Sequence, residues 1–190
     1  MADELNGVRV AFIVSNEGIE QAELVKPWQA VKDSGGRADL LAKESGQAQA
    51  FNHLDKADTF PVDRTTSDAS VGDYDALVLP GGVANGDQVR TDPAAVSLVK
   101  AFVEAGKPIA VICHGSWVMV EADVVRGRTL TSWPSLQTDI RHAGGSWVDQ
   151  ELQVCTSGPN TIISSRKPDD LPAFCQKLVE VFSKAAAKVS

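Results

Sequence analysis

Cysteine, histidine, methionine and tyrosine are all scarce in this 190-residue chain, which holds three, three, two and one of them. Cys113, Cys155 and Cys175 are odd in number and lack CxxC spacing, which argues against both a disulfide framework and a zinc site. At least one thiol is therefore free. Positive charge is also in short supply: 18 Lys and Arg face 25 Asp and Glu, for a net charge of −7, and the basic residues are scattered singly. With no basic cluster to release counterions, neither nucleic acid nor an anionic membrane surface is an expected partner. Long apolar runs are missing too. Val8 to Val14 contains Arg9, follows an acidic polar start and is too short for a signal peptide or a membrane span, so a cytoplasmic location is expected. GxGxxG, GxxxxGK[ST] and HExxH do not occur, which leaves dinucleotide, nucleotide and zinc-peptidase readings with little support. No cofactor or metal is expected.

What is present is the composition of a soluble globular protein, 43% apolar and 23% charged, with no repeat, low-complexity tract or linker, so residues 1–190 read as a single domain. Apolar strands alternate with amphipathic helices. Strand-like runs cover Val8 to Val14, Arg37 to Ala42, Ala76 to Leu79, Ile109 to Ile112, Glu151 to Thr156 and Thr161 to Ser164. Helical spacing covers Ile19 to Ser34, Pro93 to Ala105, Ser116 to Ala122, Pro134 to Ala143 and Pro168 to Lys188. Residues 43–73 are polar and turn-rich, an edge hairpin or irregular excursion with β segments around Ala48 to Phe51 and Asp58 to Val62. The order is that of an α/β doubly wound, mostly parallel sheet with helices on both faces, in which ligands bind beyond the carboxyl ends of the strands.

One strand end carries the clearest chemistry. In Lys107-Pro-Ile-Ala-Val-Ile-Cys-His-Gly-Ser-Trp117 a buried strand runs into a helix without a spacer, with Cys113 at the junction. Such a nucleophile elbow lifts one side chain out of the sheet towards backbone N–H groups and a helix N-terminus, which favour a thiolate. A lone cysteine at a strand end is more often a small buried hydrophobe; the Cys-His-Gly corner points the other way. Cys155 and Cys175 read as packing residues, His53 and His142 as surface residues, and Trp117 and Trp133 as pocket or core. Two other strand ends carry chemistry of their own, Glu17 to Glu20 and Gly81-Gly82 with Asp87, and all three converge on one crevice in this architecture.

These same residues carry a resemblance to the ThiJ/PfpI superfamily, in its PfpI-type branch of intracellular cysteine peptidase-like and deglycase-like stress proteins. The markers are Glu20 followed by Glu23-Leu24, Asp75-Ala-Leu-Val-Leu-Pro-Gly-Gly82, Ala-Gly-Lys-Pro108, Ile-Cys-His-Gly115, Arg126-Gly-Arg-Thr-Leu-Thr-Ser-Trp-Pro134 and Ser165-Arg-Lys-Pro-Asp-Asp-Leu171. The resemblance implies a flavodoxin-like three-layer sandwich, a nucleophilic Cys113, and an acidic residue from the first βα loop touching it, assigned to Glu20. It further implies homo-oligomers, dimers or hexamers, in which a carboxylate from a neighbouring subunit, at the position of Asp87, completes the Cys-His pair. In the loop Val83-Ala-Asn-Gly-Asp87, Gly86 stands where relatives often have Pro, and Ser116 stands where Pro often follows Cys-His-Gly.

If Glu20 and Cys113 were both ionised about 4 Å apart at an effective dielectric of 20, repulsion would be about 4 kcal/mol, so one proton is expected to be shared between them. His114 is a candidate general base and acid, with Asp87 fixing its tautomer. Adjacent residues on an elbow usually point apart, however, which would leave His114 acting through its backbone N–H, paired with that of Gly82 as an oxyanion hole. Two function classes follow: a cysteine hydrolase acting on peptides or on methylglyoxal-type adducts, with a small carbonyl or peptide as substrate, or a redox-sensing or chaperone-like stress protein in which Cys113 is reversibly oxidised.

Overall fold

The computed structural model describes residues 3–186. The first half of the chain runs β1 (Arg9–Ile13), β2 (Glu17–Glu20), α1 (Gln21–Asp33), β3 (Arg37–Ala42), β4 (Gln47–Asn52), β5 (Asp55–Pro61) and β6 (Arg64–Thr65). There follow β7 (Ala76–Leu79), α2 (Val83–Val89), α3 (Pro93–Glu104), β8 (Ile109–Ile112), α4 (Ser116–Glu121), β9 (Thr129–Leu130), α5 (Gln137–His142), β10 (Ser146–Trp147), β11 (Gln153–Cys155), β12 (Ile162–Ser165) and α6 (Leu171–Ala186).

The central sheet has seven strands in the order β11-β12-β8-β7-β1-β3-β6. All its pairings are parallel except β11 with β12. Its inner strands are apolar on both faces, as burial between two helical layers requires. The period of two sorts them cleanly: Val10, Phe12, Ala76, Val78, Ala110 and Ile112 face the layer of α1 and α6, where Leu24, Phe174 and Phe182 lie. Ala11, Ile13, Leu77, Leu79, Ile109 and Val111 face the layer of α3 and α4, with Val99, Phe102 and Met119. This is the flavodoxin-like α/β sandwich expected from the sequence. Sheet order reverses at β1, which pairs with β3 on one side and β7 on the other, and a crevice opens there beyond the strand ends.

The helix expected from Ile19 starts instead at Gln21, because Glu17–Glu20 pairs with β4 as a strand. Within the polar excursion of residues 43–73, β4 and β5 form a hairpin that joins β2 in a separate three-stranded sheet, and β6 pairs with β3 at the edge of the central sheet. Residues 83–87, read from the sequence as a loop, form most of α2. The end of the last helix as expected from the sequence, Lys188, lies outside the described residues. No described helix is long and apolar enough to cross a membrane.

Candidate active site

Cys113 follows the last residue of β8 directly and has φ of +60°, one of three non-glycine residues at positive φ among the described residues. A left-handed cysteine costs on the order of 1–3 kcal/mol and persists only where its surroundings hold it. Here they do. Residues Cys113–Gly115 form one tight 3-10 turn leading into α4, and a Cβ on Gly115 would lie 2.6 Å from the Leu79 carbonyl oxygen, so only glycine lets the elbow close onto the end of β7.

The side chain against the thiol from the first βα segment is Glu23, not Glu20. Glu23 is fully buried, on the inward stripe of α1 with Pro27 and Val31. In the first turn of a helix, side chains lean back towards the N-terminus, which here means towards the strand ends. Its carboxyl abuts Gly81 and Cys113 so closely that a Cβ on Gly81 would collide with it. Neither oxygen has a partner of good hydrogen-bond geometry, and the polar groups acting on it are the Cys113 thiol and the Gly81 backbone. Burial first, and the nearby Glu20 charge second, push this carboxyl up to about 8. It is therefore protonated at neutral pH. Burial first, and any charge on Glu23 second, push the Cys113 thiol well up, and the backbone N–H groups of Gly82 and His114, which pull it down, offset only part of this. With Glu23 protonated the repulsive contribution vanishes.

Glu20 closes β2 opposite Phe51 of β4, and that pairing takes its carboxylate to the mouth of the crevice. There it accepts a hydrogen bond from the His53 backbone N–H (3.2 Å), with the His53 ring nitrogen 3.8 Å away. The first-loop acid expected at Glu20 is thus corrected to Glu23.

The His114 side chain does not point away from its neighbour: its Nδ1 lies 3.1 Å from the Cys113 sulfur. The ring is held between Trp117, edge-on at 5.1 Å, and Trp133, stacked at 5.8 Å. Desolvation holds the imidazole down to about 4, so it is neutral at pH 7 and a weaker base than a free imidazole. Asp87 lies exposed on α2 and lines the same crevice, but its carboxylate forms no hydrogen bond among the described residues.

α2 is fixed to the site by two residues. Asn85, buried, accepts from the backbone N–H of Ser15 (2.8 Å) and donates to the carbonyl of Pro80 (3.0 Å), tying α2 to the ends of β1 and β7. Gly86 donates to the Gly82 carbonyl (2.9 Å), and a Cβ there would collide with the His114 carbonyl, so glycine lets α2 lie against the elbow. Asn85→Ala leaves a buried N–H unsatisfied and is expected to lower stability by about 2 kcal/mol, measured by urea denaturation.

The crevice has a volume of about 740 Å³. It is lined by Cys113 and His114, by Trp117 and Trp133, and by Phe51, His53 and Leu54 of the hairpin. The tryptophans, equally readable as core, face the crevice, and the hairpin's share was not visible in the sequence. No group of three or more potential metal-ligating side chains occurs among the described residues.

The fold and this corner define a class: α/β sandwiches with a cysteine on a strand-to-helix elbow beside a buried carboxyl. The chain belongs to the DJ-1/PfpI family, whose model matches residues 8–181. General stress protein 18 of Bacillus subtilis is 33% identical over 178 residues, covering 94% of this chain and 99% of that protein. Deglycase PfpI of Pyrococcus furiosus is 32% identical over 174 residues, covering 92% of this chain and 99% of that one. Among solved structures, a two-domain protein of Anabaena variabilis with DJ-1/ThiJ/PfpI-like and ferritin-like domains superposes with a TM-score of 0.82 at 29% identity. That match covers 90% of this chain and 49% of the other, so this chain spans about half of that protein's length.

Proposed function

We propose that the protein is a cysteine-dependent hydrolase of amide or glycation-adduct carbonyls with a role in stress protection. The observation that carries this reading is the fully buried Glu23 carboxyl set against Cys113 at a left-handed elbow. In the proposed reaction Glu23 keeps its proton and donates to the thiolate, while His114 takes the proton the thiol gives up. The sulfur attacks the carbonyl carbon, and the carbonyl electron pair moves to oxygen, where the N–H groups of Gly82 and His114 receive it. For an amide substrate the C–N bond then breaks as the imidazolium returns its proton to the leaving amine. Water, deprotonated by His114, hydrolyses the thioester, releasing a carboxylic acid and restoring the thiolate.

Asp87 is assigned the role of steadying the imidazolium from a neighbouring subunit of a homo-oligomer. The site in one chain supports this, since Asp87 is exposed beside the crevice and unpaired among the described residues. Dilution to a demonstrated monomer is expected to abolish turnover while leaving the fold intact.

The test is the pH dependence of Cys113 alkylation by intact-mass spectrometry, run beside hydrolysis of peptides and of methylglyoxal adducts. Burial works against the thiolate, and the Glu23 proton with the Gly82 and His114 N–H groups must outweigh it for the reaction to run; a thiolate titrating below the ordinary cysteine range, with turnover lost in Cys113→Ser, is the expected result, and a thiol inert up to pH 9 overturns the reading. One observation favours a second reading. The otherwise unpartnered Glu23 carboxyl could donate to an oxidised Cys113 sulfur, as a redox sensor requires. Asp87→Asn separates the two: it lowers turnover in the hydrolase and leaves peroxide oxidation of Cys113 unchanged in either case.

A further inference from the structure

The lining of the crevice carries a selectivity that the reaction does not require. Glu17, Glu20 and Asp87 lie around it, and among the described residues no lysine or arginine lines it. Arg90, the cation over the Trp117 ring, is already held by Glu121 at 3.1 Å. The rim is apolar as well: Leu54, Val83 and Trp133, three of the four exposed large hydrophobic side chains among the described residues, all belong to this one opening. Leu54 is 94% exposed, at the hairpin tip. Exposed apolar groups gathered at one place mark a binding surface, whereas single ones scattered over a protein do not.

These features complement one kind of ligand. An acidic, partly desolvated cleft attracts cations and repels carboxylates, and an open tryptophan adds a face for an ammonium or guanidinium group. Trp133 is 39% exposed and has His114 stacked on it. The apolar rim calls for neighbours that bury hydrocarbon. A small neutral dicarbonyl uses neither feature.

Resting on the hydrolase reading, we infer that the site takes extended peptide segments in which the reacting group is borne on, or lies next to, a positively charged residue flanked by apolar ones, and that it discriminates against anionic substrates. The selectivity sits in Glu17 and Glu20 at the mouth, away from the sulfur.

Binding to the Cys113→Ser protein tests this without turnover, using calorimetry and tryptophan fluorescence at low salt. The probes are acetylated, amidated pentapeptides Ala-Leu-X-Leu-Ala with X as lysine, glutamine or glutamate. The lysine probe is expected to bind at least about tenfold more tightly than the glutamate probe, at about threefold per mouth carboxylate. Its affinity should fall with added sodium chloride while that of the glutamine probe holds. Glu17→Gln combined with Glu20→Gln should bring the lysine and glutamate probes to within about threefold of each other. The inference is overturned by equal or reversed affinities, by a preference that survives both substitutions, or by no binding of any probe. A wild-type protein that binds with this preference yet hydrolyses nothing would defeat the hydrolase reading and leave the charge selectivity standing; turnover of neutral and anionic carbonyls with no charge preference would do the opposite.

Discussion

Glu23→Gln is expected to stabilise the protein at pH 8 and to leave its stability unchanged near pH 4. In the folded chain burial and the Glu20 charge push the Glu23 carboxyl up to about 8, against an unfolded value of 4.5. Between these values the folded state holds a proton that the unfolded state has released, so the stability it contributes is complete below pH 4.5 and is lost as pH rises to 8. Glutamine has no such proton to lose. The difference should reach roughly 3–5 kcal/mol at pH 8, or about 6–20 °C in melting temperature for a chain of this size. Calorimetry at pH 4, 6 and 8 would show the two melting curves separating upwards; parallel curves would mean that Glu23 ionises freely. Cys113 alkylation reports the other half of the pair. In the wild type thiol and carboxyl titrate together, and in the variant one simple titration should remain.

Gly81→Ala is expected to damage both stability and the site. The new Cβ would collide with the Glu23 carboxylate, lie 2.6 Å from the Cys113 Cβ and 3.0 Å from the Ile112 carbonyl oxygen. None of these neighbours has room to withdraw: Glu23 is fully buried, Ile112 is in the central sheet and Cys113 is locked at positive φ. Overpacking of this kind costs about 1–3 kcal/mol, and the loss here should fall at the upper end, with turnover abolished. Adding Glu23→Ala should restore more than about 1 kcal/mol of it by removing the main obstacle, without restoring turnover. A Gly81→Ala protein with native stability and wild-type alkylation would show that Glu23 does not press on this corner.

The layered sheet was legible because its signals are local: apolar tetrads closed by Gly or Pro, and helices ended by Gly-Gly or begun by Pro. The elbow was legible for the same reason, since strand, Cys-His-Gly and helix adjoin. Choosing between Glu20 and Glu23 depended on where α1 begins, and that is decided by β2 pairing with a strand some thirty residues downstream. Once the helix starts at Gln21, Glu23 falls on the buried stripe with Pro27 and Val31, a pattern already present in the sequence. α2 was hidden differently. Its Val-Ala-Asn-Gly-Asp run favours a turn by intrinsic preference, and tertiary contacts at Asn85 and Gly86 override it. The contact of His114 with Cys113 follows from the left-handed backbone at residue 113, which no composition rule reveals.

The β4–β5 hairpin helps to line the crevice yet contributes no strand to the central sheet. Its outer strand, β5, is largely exposed. Its sequence is thus released from the packing demands that bind the elbow, where single glycines are fixed by ångström-scale contacts. In evolutionary terms the reactive corner and the hairpin are separable modules: the tip around Asn52 to Asp55 can be lengthened, shortened or recharged at little cost to folding, and each edit presents a different face to whatever enters while leaving the sulfur where it is.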